Sequence, residues 1–130
     1  MSDKDLEFWD DDEWRAFIQD WDHDLRAYFG SRLRTAQQGR LPETGVKPLQ
    51  DFGIALFEIK HSCGARVVYT TEYATLTRCI YVVDAFMKDS REGKKMRTSD
   101  RTRIRARVKR IKEQMKPLIE REAARKKRLH

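Results

Sequence analysis

The sequence predicts a fold of mixed α and β class, with two helices first, an antiparallel sheet next and a basic helix last. Three patterns support this prediction. Apolar residues recur at helical spacing within the first forty residues, three β-type runs occupy residues 54–86, and a Lys/Arg-rich amphipathic stretch ends the chain. Because 130 residues support one modest core, we expect a single domain.

The N-terminal region is predicted to form two helices. The aspartates at residues 10–12 suit the N-terminus of the first helix. Its apolar stripe, at intervals of three and four residues, is Trp14, Phe17, Ile18 and Trp21. The second helix begins near Asp22 and ends at Gly39, a residue that suits a helix C-cap. Residues 6–9 are a candidate for a short edge strand before both helices.

Three runs of β-type residues, bounded by turn residues, predict strands at residues 54–60, 65–71 and 78–86. Gly64 closes a tight turn between the first two, and the short connections favour antiparallel pairing. Alternation along the first strand places Glu58 and Lys60 on the face opposite Ile59. The glycines and proline of residues 45–53 predict a loop before the sheet.

The last helix is predicted to begin at Ser99 or Asp100, both good N-caps. Its apolar stripe is Ile104, Val108, Ile111, Met115 and Leu118. Pro117 lacks an amide proton, so we expect it to kink or stop the helix. The chain is therefore divided into a domain of residues 1–116 and a basic C-terminal tail of residues 117–130, frayed or disordered.

Charge is distributed unevenly along the chain, which has a net charge of +7. Residues 1–30 hold ten acids against three basic residues, whereas residues 87–130 hold eighteen Lys/Arg against six acids. This excess of cations indicates a polyanionic partner. The alternative is that the acidic N-terminal helix packs on the basic one and neutralises it.

Composition also argues against several classes of protein. The sequence has no long apolar run for a membrane span, and its acidic start is unlike a signal peptide, so we expect a cytoplasmic protein without membrane contact. Cys63 and Cys79 lack the spacing of a metal site, and no histidine cluster lies near them. We therefore expect no metal and no cofactor.

Several short motifs follow one another in a recognisable order. They are Val46-Lys47-Pro48-Leu49, Leu56-Phe57-Glu58-Ile59-Lys60, Arg66-Val67-Val68-Tyr69, Ile80-Tyr81-Val82-Val83 and Ala85-Phe86-Met87-Lys88. With the acidic start and the basic last helix, they make residues 6–115 resemble the phage-derived, HigB-like branch of the RelE superfamily of type II toxins. The resemblance implies an α+β, RelE-like fold: two N-terminal helices packed on a small twisted antiparallel sheet, with a basic C-terminal helix.

The same resemblance implies a function. Toxins of this superfamily are mRNA interferases: they cleave messenger RNA within the ribosomal decoding site, and a cognate antitoxin blocks them. The implied partners are therefore the ribosome, mRNA and an antitoxin protein, with DNA reached only indirectly through the antitoxin. The implied activity is that of an endoribonuclease which inhibits translation.

Cleavage through the ribose 2′-hydroxyl needs a base and charge stabilisation, and no metal. Lys60, Arg66, Lys88 and Arg91 match the basic cluster of the superfamily. Arg66 and Arg91 suit charge stabilisation, because a guanidinium binds two phosphate oxygens at once. Lys60 or Lys88 either stabilises charge or acts as the base, if crowding by cations favours the neutral amine. The alternative for each is a solvated basic residue.

Further candidates surround this cluster. Asp84 stands where many relatives have a histidine, and it acts as a base, repels phosphate or pairs with Arg66 or Lys88. His61 is the nearest imidazole, although an exposed turn histidine is the simpler interpretation. Glu58 is expected to orient Arg66, and Tyr73 to stack on RNA. The remaining substrate-binding candidates are Lys94, Lys95 and Arg97.

Two other functions stay open. The chain is alternatively a non-catalytic RNA- or ribosome-binding relative, which the aspartate in place of a histidine favours, or a phage accessory protein that binds a host factor. The last helix suits ribosomal RNA or DNA, and the lack of a helix-turn-helix partner favours RNA.

Overall fold

A five-stranded sheet lies between two helices. The computed structural model describes residues 3–9, 18–40, 44–88 and 96–129. The strands are β1 (Asp5–Phe8), β2 (Val46–Leu49), β3 (Leu56–Lys60), β4 (Ala65–Thr70) and β5 (Cys79–Met87). The helices are α1 (His23–Gln37), α2 (Ala74–Thr77) and α3 (Thr98–Arg128). Among these described helices, none is long and apolar enough to cross a membrane.

The sheet is mixed, with the strand order β1-β5-β4-β3-β2. β1 pairs with β5 in parallel, whereas every other neighbouring pair is antiparallel. The predicted antiparallel sheet was therefore wrong, although the candidate edge strand at residues 6–9 is confirmed as β1. The predicted loop at residues 45–53 was also wrong in part, because Val46–Leu49 pairs with β3. Pro48 is tolerated there because β2 is an edge strand.

The N-terminal helical prediction is only partly met. Asp22 caps α1 by accepting a hydrogen bond from the Leu25 amide at 2.8 Å, and Gly39 follows the helix with a φ of +70°. Ile18 and Gln19 are helical, and the rest of the first predicted stripe lies largely outside the described residues. The arrangement of two N-terminal helices on an antiparallel sheet was wrong: the chain enters the mixed sheet through β1 and then forms α1.

Each face of the sheet carries its own apolar cluster. On the first face, α1 contributes Phe29 and Leu33, which pack with residues of the three central strands: Ile59, Val67, Tyr69, Ile80 and Val82. On the second face, α3 contributes Ile104, Val108, Ile111 and Met115, which pack with Leu56, Val68, Val83 and Phe86. The sheet therefore separates α1 from α3.

A bulge in β5 changes which residues face α3. Val68 of β4 pairs with Asp84, but the next residue, Tyr69, pairs with Val82, so Val83 is an extra residue. Val82 belongs to the α1-side cluster and Val83 to the α3-side cluster. Because of the extra residue, the Asp84 side chain also points towards α3, where it meets two arginines.

α3 is longer than predicted. It begins at Thr98 and runs through Pro117 to Arg128, so the expectation that Pro117 stops the helix and leaves a frayed or disordered end was wrong. The proline removes one helical hydrogen bond, and the carbonyl it frees lies in a part of the helix that is exposed. The division into residues 1–116 and 117–130 stays a prediction.

Candidate functional site

Lys60 and Arg66 stand directly opposite each other in the β3–β4 ladder. The next strand continues the row, because Arg66 pairs with Phe86 of β5. Both basic residues are half-buried, and alternation puts them on the face that α3 covers, together with Leu56 and Val68. The structure thus brings two of the predicted catalytic residues together at the hairpin end of the sheet.

A second row contains a buried carboxylate. Glu58, which is 3% exposed, pairs across the sheet edge with Lys47 of β2. The Lys47 Nζ lies 3.7 Å from the Glu58 Oε1. We predicted that Glu58 orients Arg66, whereas its described ion pair is with Lys47. Lys47 was not among the predicted site residues, because its position beside Glu58 depends on β2 and no strand was predicted there.

The environment of Lys60 lowers the pKa of its ammonium group. Burial is the largest cause that lowers the pKa of Lys60, followed by the neighbouring Lys47 ammonium, while the Glu58 carboxylate opposes them and the Arg66 guanidinium adds to them. The net effect of these causes is that the pKa of Lys60 lies below its ordinary value of 10.5. A lowered pKa makes the neutral amine, which is the form that accepts a proton, more accessible than in an ordinary lysine.

Arg66 is anchored to the hairpin backbone. Its Nη1 donates to the carbonyls of His61 at 2.8 Å and Ala65 at 2.9 Å. Its Nε is buried and has no hydrogen-bond partner among the described residues. An anchored guanidinium is preorganised for an anion, and an orphaned buried donor is unusual in a folded protein. Both features suit a side chain that receives a ligand oxygen.

Lys88 borders this site, whereas three other basic candidates lie outside the described residues. The Lys88 amide donates to the Gly64 carbonyl at 2.7 Å, and its side chain is buried beside the hairpin. The candidates outside the described residues are Arg91, Lys94 and Lys95. Arg97 is described, and its guanidinium is bound by the protein itself. Its Nη2 donates to the Met87 carbonyl at 2.9 Å, and its Nε donates to the Asp100 carboxylate at 3.1 Å.

The His61 ring points away from the basic pair, although the His61 carbonyl accepts a hydrogen bond from Arg66. The His61 ring packs edge-on against Tyr28 of α1, with 4.6 Å between ring centroids. Its Nδ1 accepts a hydrogen bond from the Cys63 amide at 3.1 Å, so the other nitrogen carries the proton in the neutral ring. His61 therefore lies towards α1, on the face of the sheet opposite to that of Lys60 and Arg66.

Asp84 is tied into the core beneath α3. It is 1% exposed, and Arg103 and Arg107 both donate to its carboxylate, Arg103 from its Nε at 2.9 Å. Burial raises the pKa of Asp84, while the two guanidiniums and the Ala85 amide act in the opposite direction. Of the three roles left open for Asp84, the described contacts show ion pairing, and the partners are Arg103 and Arg107 of α3.

Tyr73 also differs from its prediction. It is 6% exposed and belongs to the α3-side cluster of buried residues. Such a buried ring offers little surface to an RNA base, so its burial argues against the predicted stacking role. Burial, with a smaller effect of Glu72, raises the pKa of the Tyr73 hydroxyl.

Tyr28 of α1 supports the backbone of the site from the opposite face of the sheet. The Tyr28 hydroxyl donates to the Lys60 carbonyl, and the Arg32 guanidinium covers the Tyr28 ring at 3.6 Å from its centroid. The Arg32 Nε donates in turn to the Thr44 carbonyl at 2.9 Å. Sequence reasoning had no signal for Tyr28, because the contact joins residues far apart in the chain.

Comparison with known proteins places this chain in a family. Residues 16–109 match the family described as "Phage derived protein Gp49-like (DUF891)". Neither the curated proteins nor the solved structures provide a significant match. The matched segment covers most of the chain and includes α1, the strands β2 to β5 and the first part of α3. The chain therefore belongs to the phage-derived Gp49-like family, which is associated with the toxins of toxin–antitoxin systems.

Proposed function

We propose that the chain is the toxin of a type II toxin–antitoxin system and that it inhibits translation by cleaving mRNA on the ribosome, as RelE/HigB-like toxins do. The observation that carries this proposal is the cross-strand pair of Lys60 and Arg66 beside the buried Glu58. A lysine with a lowered pKa next to an anchored arginine supplies the two functions that metal-independent RNA cleavage requires.

The chemistry assigns a role to each member of the pair. Neutral Lys60 accepts the proton of the ribose 2′-hydroxyl, whose oxygen forms a bond to the adjacent phosphorus. Arg66 binds the phosphate oxygens while negative charge develops on them. The bond from phosphorus to the 5′ oxygen breaks, and that oxygen takes a proton from a neighbouring ammonium, for which Lys88 is the candidate, or from water. The products are a 2′,3′-cyclic phosphate and a 5′-hydroxyl.

The test is a purified translation reaction in which cleavage of the message is followed directly. Lys60→Ala and Arg66→Ala are each expected to slow cleavage by about 100-fold, the usual effect of losing one preorganised group. Arg26→Ala is the matched control, since Arg26 is an exposed cation on α1, across the sheet from the site. Unchanged cleavage by folded Lys60→Ala and Arg66→Ala variants would refute the assignment.

A cognate antitoxin is part of this proposal. The protein is expected to arrest growth when expressed alone and to be harmless when the antitoxin gene is expressed with it. A small open reading frame next to this gene, encoding a DNA-binding protein, is the first candidate. Co-expression that leaves growth arrested, with both proteins soluble, would exclude that candidate as the antitoxin.

A second function is favoured by one observation about the acid–base groups. Asp84 is engaged by two arginines, and neither described histidine, His23 or His61, lies on the α3 side of the sheet. This arrangement suits a protein that binds RNA or the ribosome without cutting. In the same translation reaction such a protein stalls an intact message, whereas a phage accessory protein that binds a host factor neither stalls nor cleaves it.

A further inference from the structure

One face of α3 carries a row of cations that the candidate site does not use. We define the α3 stripe as Arg101, Arg105, Lys109, Lys112 and Lys116. We propose that the α3 stripe is a separate docking surface for the phosphate backbone of double-helical RNA, and that ribosomal RNA is its partner. The identification of ribosomal RNA rests on the proposed function; the surface itself does not.

The spacing of the α3 stripe places its members on one side of the helix. Successive intervals are four, four, three and four residues, and the row extends over about 22 Å at the rise of an α-helix. The buried residues Ile104, Val108, Ile111 and Met115 form a different stripe, which faces the sheet. All members of the α3 stripe are exposed except Arg101, which is half-buried.

Contacts with the β2–β3 loop give the row a defined position. The Arg101 and Arg105 guanidiniums lie over the Phe52 ring, at 5.0 and 5.5 Å from its centroid. Lys112 lies beside the same loop, since a Cβ at Gly53 would come within 2.5 Å of the Lys112 Nζ. Cations held in place lose less conformational entropy when they bind phosphates.

The buried acids near α3 bind arginines outside the α3 stripe, and α3 also carries the exposed Glu113 and Glu120. Asp84 and Asp100 are buried, and they bind the inward-facing arginines Arg103 and Arg107 in the first half of α3. The described acids at the start of α1 lie on the opposite side of the sheet. The alternative of an acidic helix packed on the basic one therefore does not apply to the described part of the chain. α3 holds thirteen Lys/Arg against four acids, so its side of the protein attracts a polyanion.

The α3 stripe and the candidate site lie on the same side of the sheet. α3 covers the face of the sheet on which Lys60 and Arg66 lie. The loop beneath the stripe joins β2 to β3, the strands that carry Lys47 and Lys60. A duplex bound along the stripe would therefore hold the same side of the protein that the substrate strand must reach. In this proposal the α3 stripe binds the RNA duplex, and the Lys60–Arg66 pair cleaves the message.

The test measures binding of the full chain to a fluorescent RNA duplex over a series of salt concentrations. The variant Lys109→Gln/Lys116→Gln removes two stripe charges from exposed positions. Its matched control, Arg26→Gln/Arg40→Gln, makes the same change in net charge at exposed positions in and just after α1. The stripe variant is expected to bind at least 10-fold more weakly, with a salt dependence shallower by about two phosphate contacts. The control is expected to keep both values.

Three results would overturn the proposal. If the control pair weakens binding as much as the stripe pair, net charge and not the stripe binds RNA. If duplex DNA of the same sequence binds as tightly, the surface is not specific for RNA; if the single strand binds more tightly, the stripe serves the substrate strand. Binding is measured without ribosomes, so a loss of the cleavage activity proposed above would not affect this outcome, and the two proposals fail separately.

Discussion

The Arg107 guanidinium of α3 donates to the Asp84 carboxylate, and both side chains are buried, at 8% and 2% exposure. The contact exists because the β5 bulge adds Val83 and so turns Asp84 towards α3. Arg103 donates to the other carboxylate oxygen at 2.9 Å from its Nε. This cluster joins the helix to the centre of the sheet and is part of the core.

Arg107→Met is expected to lower the free energy of unfolding by about 3 kcal/mol, because it leaves a buried carboxylate with one of its two cations. Asp84→Leu combined with Arg107→Met should recover most of that loss, because the double variant no longer contains the buried carboxylate that Arg107 neutralises. Arg110→Met, at an exposed position of the same helix, should change stability by less than about 0.5 kcal/mol. Urea unfolding measures all three, and an equal loss in the single and double variants would contradict the explanation.

The elements that could be predicted from the sequence are those with strong local signals. α1 has a capping aspartate and a terminal glycine, and β3 and β4 flank a glycine turn, so their positions were predicted closely. β1 and β2 could not be placed in the sheet, because the pairing of an edge strand depends on distant residues. The proline in β2 even argued against a strand there.

For the candidate site too, the local features could be predicted and those that depend on distant residues could not. The pair of Lys60 and Arg66 could be predicted, because alternation and a short hairpin fix which residues face each other. Lys47 could not, since its position beside Glu58 depends on β2. The surroundings of Asp84 depend on a one-residue bulge that reverses the alternation, and composition carries no sign of it.

The proposed base predicts a distinctive dependence on pH. If neutral Lys60 accepts the proton, the cleavage rate rises with pH through the pKa of Lys60, which lies below 10.5. Lys47→Ala removes a cation that lowers this pKa, so the rise should move to higher pH. Glu58→Gln removes the carboxylate that opposes the shift, so the rise should move to lower pH. Rates of a single turnover over a pH series measure both, and displacement of the two profiles in the same direction would exclude Lys60 as the base.

Tyr28 is expected to position Lys60 through its backbone. Tyr28→Phe removes the hydrogen bond to the Lys60 carbonyl and keeps the ring that packs on Arg32 and His61. The free energy of unfolding should fall by about 1 kcal/mol. The kcat of mRNA cleavage should fall several-fold while KM is unchanged, because substrate binding does not involve the hydroxyl. Tyr73→Phe, which removes a hydroxyl in the α3-side core, is the control and should leave kcat unchanged; an equal fall in both variants would reduce Tyr28 to a structural role.

Two glycines offer a matched test of the hairpin that carries the site. Gly64 has a φ of +103°, and a Cβ there would lie 2.5 Å from the Lys88 carbonyl oxygen, so Gly64→Ala must strain the backbone and displace Lys88. Gly30 lies within α1, where an added Cβ would meet no heavy atom within 4 Å, so Gly30→Ala should stabilise the protein by about 0.5 to 1 kcal/mol. Gly64→Ala should instead cost about 2 kcal/mol in urea unfolding and also slow mRNA cleavage, since the Gly64 carbonyl accepts the Lys88 amide. A Gly64→Ala protein as stable and as active as the wild type would show that the hairpin does not hold Lys88 in place.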